Sequence, residues 1–263
     1  MSIGPGEYLA PGFVPMAHRG GSLLTSNLGI ENTLKAFSNA VRLGYQYLET
    51  DVHATRDARL VAFHDPDLSR VTDTVGRIAD MTFDAVREIR VGGRELIPSL
   101  DELLEAFPQA RFNIDLKADA AVPLLAKAVR SHAAESRVLV GSFSRARLKK
   151  FRRLVPGTAT SASTAEVMAM ASGVVRPNRP GQYVAFQVPV THRVGPVTVR
   201  LVTPRTVRAV HRAGRRIHVW TIDDDETMHR LIDWGVDGII TDRPDLLKVV
   251  LRSRGMWSTR QGT

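Results

Sequence analysis

Along the chain, short runs of β-type residues recur between amphipathic stretches with helical spacing. The strand-like runs fall at 13–17, 47–53, 60–63, 111–117, 137–143, 158–162, 183–189, 216–222 and 236–241. Helical patterns fill most of the gaps, at 31–43, 82–90, 99–107, 121–134, 144–154, 164–172, 204–213, 224–234 and 244–253. Alternation of this kind predicts parallel strands joined by helical crossovers. One gap is too short for a crossover: residues 54–59 separate the second and third runs, whereas a parallel connection needs about a dozen. Nine runs fit eight barrel places if 47–53 and 60–63 form a hairpin-like step. The expected fold is therefore α/β, a (β/α)8 TIM-type barrel with a small insertion after the third strand; an open doubly wound sheet is the alternative. The insertion is placed at 69–98, a long turn-bearing connection lying over the strand ends.

Length and composition narrow the class. With 263 residues and 43% hydrophobic content, a single domain over 1–263 with one well-buried core is expected. There is no cysteine, so any metal must sit on oxygen or imidazole. Residues 1–12 lack the basic start and apolar run of a secretory signal, and no apolar segment approaches the roughly 20 residues of a membrane span. A cytoplasmic location is the expectation. The net charge of +9 is uneven, since 136–222 holds 16 Arg and Lys against a single acid, Glu166. Such a block attracts anionic substrates, polyanions or an anionic membrane surface through a field that salt weakens. The plainer reading makes Arg145, Arg147, Lys149, Lys150, Arg152 and Arg153 the wet side of one helix. Aromatics are sparse there, which argues against a nucleic-acid platform.

The chemistry clusters at strand ends. His18, Arg19, Asp51, His64 and Lys117 each fall at or just past the end of a strand-like run, where barrels of this kind carry their sites. Glu49 and Asp51 are two apart and share a strand face, and Asp115 and Lys117 repeat the spacing. Three gathered acids resist ionisation unless a cation joins them, so Glu49, Asp51 and Asp115 are candidate ligands for Mg²⁺ or Ca²⁺. The alternative is a salt-bridge network with Lys117 and Arg19 as counter-charges. Two histidines with an ordinary pKa near ~6.5 supply a base and an acid together. With an Arg and a Lys to clamp an anion, this is equipment for breaking a phosphate ester.

These residues lie in short motifs: His-Arg-Gly at 18–20, Glu-Asn-Thr at 31–33, Glu-x-Asp at 49 and 51, and His-Asp at 64 and 65. An acid-x-Lys at 115 and 117, Ser-Phe at 142 and 143, Trp-Thr at 220 and 221 and Gly-Val-Asp-Gly-Ile-Ile-Thr-Asp at 235–242 follow. In this order they resemble the glycerophosphodiester phosphodiesterase family, from His18 to about Leu247. The resemblance implies a divalent cation, Mg²⁺ or Ca²⁺, held by Glu49, Asp51 and Asp115, with His18 and His64 as general base and acid. It implies Arg19 and Lys117 on the phosphate and Trp220 as an apolar wall. The implied reaction is attack of the glycerol 2-hydroxyl on phosphorus, departure of an alcohol, and opening of the cyclic phosphate by water to glycerol 3-phosphate.

Three positions depart from the family's pattern. Asp115 stands where Glu is usual, retracting the carboxylate by about one methylene against a Mg²⁺–oxygen distance of about 2.1 Å. Residues 22–30 form an insertion-like loop at the expected pocket rim, without the Pro that commonly precedes Glu-Asn-Thr. Asp223 replaces a common Asn, and no role is carried to it. Glu31 and Asn32 support the site or open the helix at 31–43. His53 reads as a solvent-exposed strand-end histidine, while Arg56 and Gln187 are placed to reach a headgroup. Rival functions are a lysophospholipase D or sphingomyelinase D-like phosphodiesterase on membrane lipids, a Schiff-base enzyme using Lys117, and a non-catalytic polyanion-binding barrel.

Overall fold

The computed structural model describes residues 8, 9, 11–177 and 182–257. The domain expected over 1–263 and the segment 1–12 both include positions outside the described residues. Eight parallel strands follow one another around a barrel: β1 (Val14–His18), β2 (Tyr47–Ala54), β6 (Arg111–Leu116), β7 (Val138–Gly141), β8 (Ala159–Thr160), β9 (Ala185–Val188), β12 (Arg216–Val219) and β13 (Gly238–Thr241). The ring closes where Ala162 N–H donates to Ala185 O (2.8 Å) and Val184 N–H to Thr160 O (2.9 Å). β3 (Leu60–Ala62) pairs antiparallel with β2 outside this ring, as the six-residue link 54–59 requires.

The insertion that follows β3 contains α2 (Phe83–Arg87), β4 (Arg90–Val91) and β5 (Glu95–Leu96). It has its own apolar core of Val61, Phe63, Leu68, Ile78, Val86, Ile89, Val91 and Ile97. A second hairpin, β10 (Thr191–Val194) with β11 (Val197–Arg200), follows β9. The crossover helices are α1 (Leu34–Arg42), α3 (Leu100–Ala106), α4 (Ala121–Ser131), α5 (Arg145–Leu154), α6 (Thr164–Ala171), α7 (Pro204–Arg212) and α8 (Asp225–Asp233), and α9 (Pro244–Ser253) completes the outer layer. None of the described helices is long and apolar enough to cross a membrane.

Strand alternation divides the side chains into two layers. Val14, Met16, Tyr47, Leu139, Ala159, Ala185 and Ile240 pack inside the barrel. Residues of the opposite parity, such as Ala17, Leu48, Val52, Phe112, Ile114 and Val140, pack outward with helix residues including Phe37, Leu125 and Phe151. Of the six basic side chains given to one wet helix face, Arg152 is an exception on α5. It lies against β8, donating to Thr160 Oγ1 (2.8 Å) and Ser161 O (3.0 Å).

Candidate active site

A cavity of about 230 Å³ opens at the carboxyl ends of the strands. His18, Arg19, Glu49, Asp51, His64, Asp115, Lys117 and Trp220 all line it. Register explains the gathering: His18 pairs with Glu49 across β1 and β2, and Asp51 with Asp115 across β2 and β6.

The turn after β1 is sharp. Arg19 takes φ 51° and Gly20 φ 85°, both left-handed. A Cβ at Gly20 would sit 2.8 Å from Ala36 of α1, so glycine is required for the helix to approach. This turn points the Arg19 backbone N–H at Glu49, 3.0 Å from its O and 3.2 Å from Oε2. Its guanidinium lies 3.0 Å from Glu31 Oε1 and 3.4 Å from Asp51 Oδ2.

Both histidines are anchored by a carboxylate. His18 Nδ1 donates to Asp242 Oδ1 at 2.8 Å, and His64 Nδ1 donates to Asp65 Oδ1 at 2.7 Å. Each imidazole is thereby fixed with Nε2 as its remaining nitrogen. His18 Nε2 lies 3.7 Å from Glu49 Oε2. Burial opposes protonation of His18, but the Glu49 charge and the Asp242 hydrogen bond outweigh it and raise the pKa. Asp242 also accepts from Ser22 Oγ (2.6 Å), and its N–H donates to Asp223 Oδ1 (2.7 Å). Asp223 therefore fixes the backbone of the residue whose carboxylate holds His18. Sequence reasoning assigned neither residue a role, although Asp242 ends the motif at 235–242, one position past β13.

Glu31 and Asn32 precede α1 instead of opening it, because Asn32 is left-handed (φ 59°) and Thr33 is the cap, accepting from Ala36 N–H at 3.2 Å. Buried Asn32 bridges β2, accepting from Thr50 Oγ1 (2.8 Å) and donating to Asp51 Oδ2 (3.4 Å). Glu31 accepts two bonds from Arg70, at 3.0 and 2.6 Å. Arg70 Nε also donates to Asp65. Arg70, from the insertion, thus ties Glu31 to the carboxylate behind His64; a surface arginine in a long connection gave no sequence signal for this. Burial works against ionised Glu31, but the Arg70 bond and the Arg19 charge hold its carboxyl below the usual range.

His53 corrects an expectation. It is buried rather than solvent-exposed, with Nε2 donating to His64 O at 3.0 Å, because β3 pairs over that end of β2. Gln187 lines the cavity, whereas Arg56 and residues 22–30 do not.

Among the described residues, no three His, Cys, Asp or Glu side chains are grouped as a metal site. Lys117 Nζ lies instead 2.9 Å from Asp51 Oδ1 and 2.7 Å from Asp115 Oδ2. Burial disfavours the Lys117 ammonium, but Asp115 and then Asp51 overcome this and raise its pKa. At Glu49 the balance is reversed: burial first, and the Asp51 charge next, outweigh His18, Arg19 and Lys117 and push its carboxyl up to about 7. Above the charged floor the lining turns apolar, with Phe143, Val167, Met168, Val188, Pro189 and Leu201 around Trp220. Phe143 and Trp220 meet edge to face at 6.0 Å.

Anchored imidazoles beside an arginine and a lysine can move protons at two atoms while an anion is gripped between them. Fold and cavity together define a class, the (β/α)8-barrel hydrolases of anionic esters. Residues 18–246 match the glycerophosphoryl diester phosphodiesterase family. The chain is 40% identical over 251 residues to the probable glycerophosphodiester phosphodiesterase 2 of Mycobacterium tuberculosis, covering 94% of this chain and 93% of that one. A putative glycerophosphoryl diester phosphodiesterase from Silicibacter pomeroyi superimposes with a TM-score of 0.77 at 24% identity, covering 95% and 97% of the two chains. An Oleispira antarctica phosphodiesterase, solved with the product sn-glycerol-3-phosphate, has a TM-score of 0.76 at 22% identity, covering 92% and 97%. The chain belongs to the glycerophosphoryl diester phosphodiesterase family and is a phosphoric diester hydrolase.

Proposed function

We propose that the chain hydrolyses glycerophosphodiesters to glycerol 3-phosphate and an alcohol, by acid–base catalysis from His18 and His64. The observation that carries this is the pair of carboxylate-anchored imidazoles in one cavity with Arg19 and Lys117. One imidazole takes the proton of the glycerol 2-hydroxyl as that oxygen bonds to phosphorus. The other protonates the departing alcohol as its P–O bond breaks. Water then opens the cyclic phosphate with the proton transfers reversed. Arg19 and Lys117 neutralise the phosphate oxygens, and Trp220 closes the cavity on its apolar side.

The three carboxylates do not group as a metal site among the described residues, but their chemistry supports a divalent cation there. Glu49 is a buried carboxyl pushed up by burial and by Asp51, which is the charge deficit that a cation on Glu49, Asp51 and Asp115 relieves. When bound, Mg²⁺ or Ca²⁺ supplies Lewis-acid polarisation of a phosphoryl oxygen. With Asp51 and Asp115 holding a cation, Lys117 would be free of those two acids and could contact the substrate phosphate.

The apolar upper cavity supports a second reading, a lysophospholipase D-like activity in which an acyl chain lies along Phe143, Val167, Met168 and Leu201. In that reading the basic block of 136–222 faces an anionic membrane. One experiment tests both: glycerophosphocholine and micellar lysophosphatidylcholine are incubated with chelator, Mg²⁺ or Ca²⁺, following glycerol 3-phosphate and lysophosphatidic acid. Release of neither product under any condition overturns both readings.

A further inference from the structure

One wall of the cavity is recessed and lined by oxygens, and of the residues that supply them only Asp115 also belongs to the acids paired with Lys117 and assigned to the cation. Gly141 stands beside Asp115 in the β6–β7 register. A Cβ there would lie 3.4 Å from Ser161 Oγ, 3.5 Å from Gln187 Oε1 and 3.8 Å from Asp115 Oδ1. Lys117 occupies the other Asp115 oxygen, Oδ2, at 2.7 Å. The Gln187 amide nitrogen is directed to His218 Nδ1 at 3.4 Å, which leaves Oε1 facing the recess. His218 is wholly buried in the barrel, and burial lowers its pKa to about 4, so the ring is neutral and its Nδ1 can accept from the Gln187 amide. One step deeper on the same face of β6, Asn113 is 5% exposed and its Oδ1 has no hydrogen-bond partner among the described residues. Asn113, Asp115, Gly141, Ser161 and Gln187 all line the cavity.

A carboxylate, two amide oxygens and a hydroxyl oxygen make a surface rich in acceptors. Another anion is repelled there, and an apolar group would leave these oxygens unsatisfied. The recess calls for O–H donors on a small carbon chain, placed within a few ångströms of the phosphate clamp.

We propose that the recess at Gly141 is a hydroxyl subsite in which Asp115, Ser161 and Gln187, with Asn113 behind them, accept hydrogen bonds from a polyol arm of the substrate. This rests on the glycerophosphodiester reading and identifies where a polyol is recognised. Glycine at 141 keeps the recess open, and His218 positions the Gln187 amide. The polyol is either the glycerol or a hydroxylated departing alcohol.

Equilibrium binding of glycerol 3-phosphate and propyl phosphate separates hydroxyl recognition from anion binding, since the two share a three-carbon chain. Gly141→Ala fills the recess at ordinary contact distances, and Gln187→Leu removes the amide with little change in size. If the subsite takes the glycerol, each variant loses about tenfold in glycerol 3-phosphate affinity, with propyl phosphate within twofold. If it takes a departing polyol, KM for glycerophosphoglycerol rises about tenfold while KM for glycerophosphocholine and glycerol 3-phosphate affinity stay within twofold. Circular dichroism checks folding, and Gln187→Leu carries the test if Gly141→Ala misfolds. The proposal is overturned if folded variants weaken both phosphates equally, or change neither binding nor either KM. Failure of the underlying reading looks different, because the wild-type chain then releases no glycerol 3-phosphate from any diester.

Discussion

The charged side chains that reach the cavity from β1, β2 and the end of β6 are His18, Glu49, Asp51, Asp115 and Lys117, and ion pairs or hydrogen bonds link them to one another or to Arg19 and Asp242. On β7, β9 and the segment after β8 they are Gly141, Gln187 and Ser161, with Phe143, Val167 and Met168 above them. The first side is over-determined. Arg70, Asp223 and Asn32 each brace a charged group from outside the cavity. The second side has few such restraints, and its shape comes from packing and from one missing side chain. Proton transfer needs groups fixed to within a fraction of an ångström, whereas selecting an alcohol needs only a complementary surface. Under the proposed function, the contrast would place chemistry on one side of the mouth and choice of substrate on the other.

The largest expected effects lie on the charged side. His18→Ala or His64→Ala should leave the fold intact and cut turnover by about 10² to 10⁴, the usual contribution of a general acid or base. Steady-state kinetics with a glycerophosphodiester measures this, and a loss below tenfold in both variants removes their roles. Asp242→Asn should cost about 10- to 100-fold, as does loss of a group that orients an imidazole. It also carries a signature that a packing defect lacks. Asp242 helps to raise the His18 pKa, so its loss should move the His18-governed limb of the pH–rate profile to lower pH. An unmoved limb would show that Asp242 does not set that titration.

Next in size is the response to cation and pH. Glu49 has its carboxyl raised from 4.5 to about 7 by burial and by Asp51, so the folded chain binds that proton more tightly than the unfolded chain. The associated stability is complete below pH 4.5 and disappears as pH rises through about 7. His18, also raised, acts in the same direction over a window beginning near 6.5. Asp51, whose pKa is lowered by Lys117 and Arg19 despite burial, acts oppositely, but its window lies below 3.8. In chelator the melting temperature should therefore fall between pH 5 and pH 8. Mg²⁺ or Ca²⁺ should restore more of it at pH 8 than at pH 5, because ligand carboxyls must be ionised to bind. Glu49→Gln should flatten the pH dependence and weaken cation binding. Wild-type cation affinity in that variant would take Glu49 out of the ligand set.

The same contrast explains how much the sequence revealed. Groups on the charged side sit in short motifs at strand ends, where a periodicity of two places Glu49 with Asp51 and Asp115 with Lys117. The hairpin step at β3 followed from chain length alone, since six residues cannot make a crossover. The bracing residues were hidden because their partners are distant: Arg70 reaches Glu31 across 39 positions, and Asp242 reaches His18 across 224. The burial of His53 depends on β3 lying over it, which no local pattern encodes. On the second side, the β10–β11 hairpin went unread although Gly195-Pro196 is a turn signal between alternating residues, because the segment lies between two expected elements. Gly141 offers no pattern at all. Its meaning comes from the oxygens that surround an absent side chain.

The smallest expected effect probes the apolar wall. Phe143 is 63% exposed and meets Trp220 edge to face. Aromatic pairs of this kind contribute about 0.5–1.5 kcal/mol, a factor of roughly 2 to 12 in an equilibrium. If the wall holds an acyl chain, Phe143→Ala should raise KM for lysophosphatidylcholine several-fold and KM for glycerophosphocholine by less, with kcat little changed. The asymmetry between substrates carries the information, because losing a support for Trp220 would weaken both alike. Equal rises would therefore make Phe143 a prop for the indole, and the upper cavity would no longer favour amphipathic substrates over soluble ones.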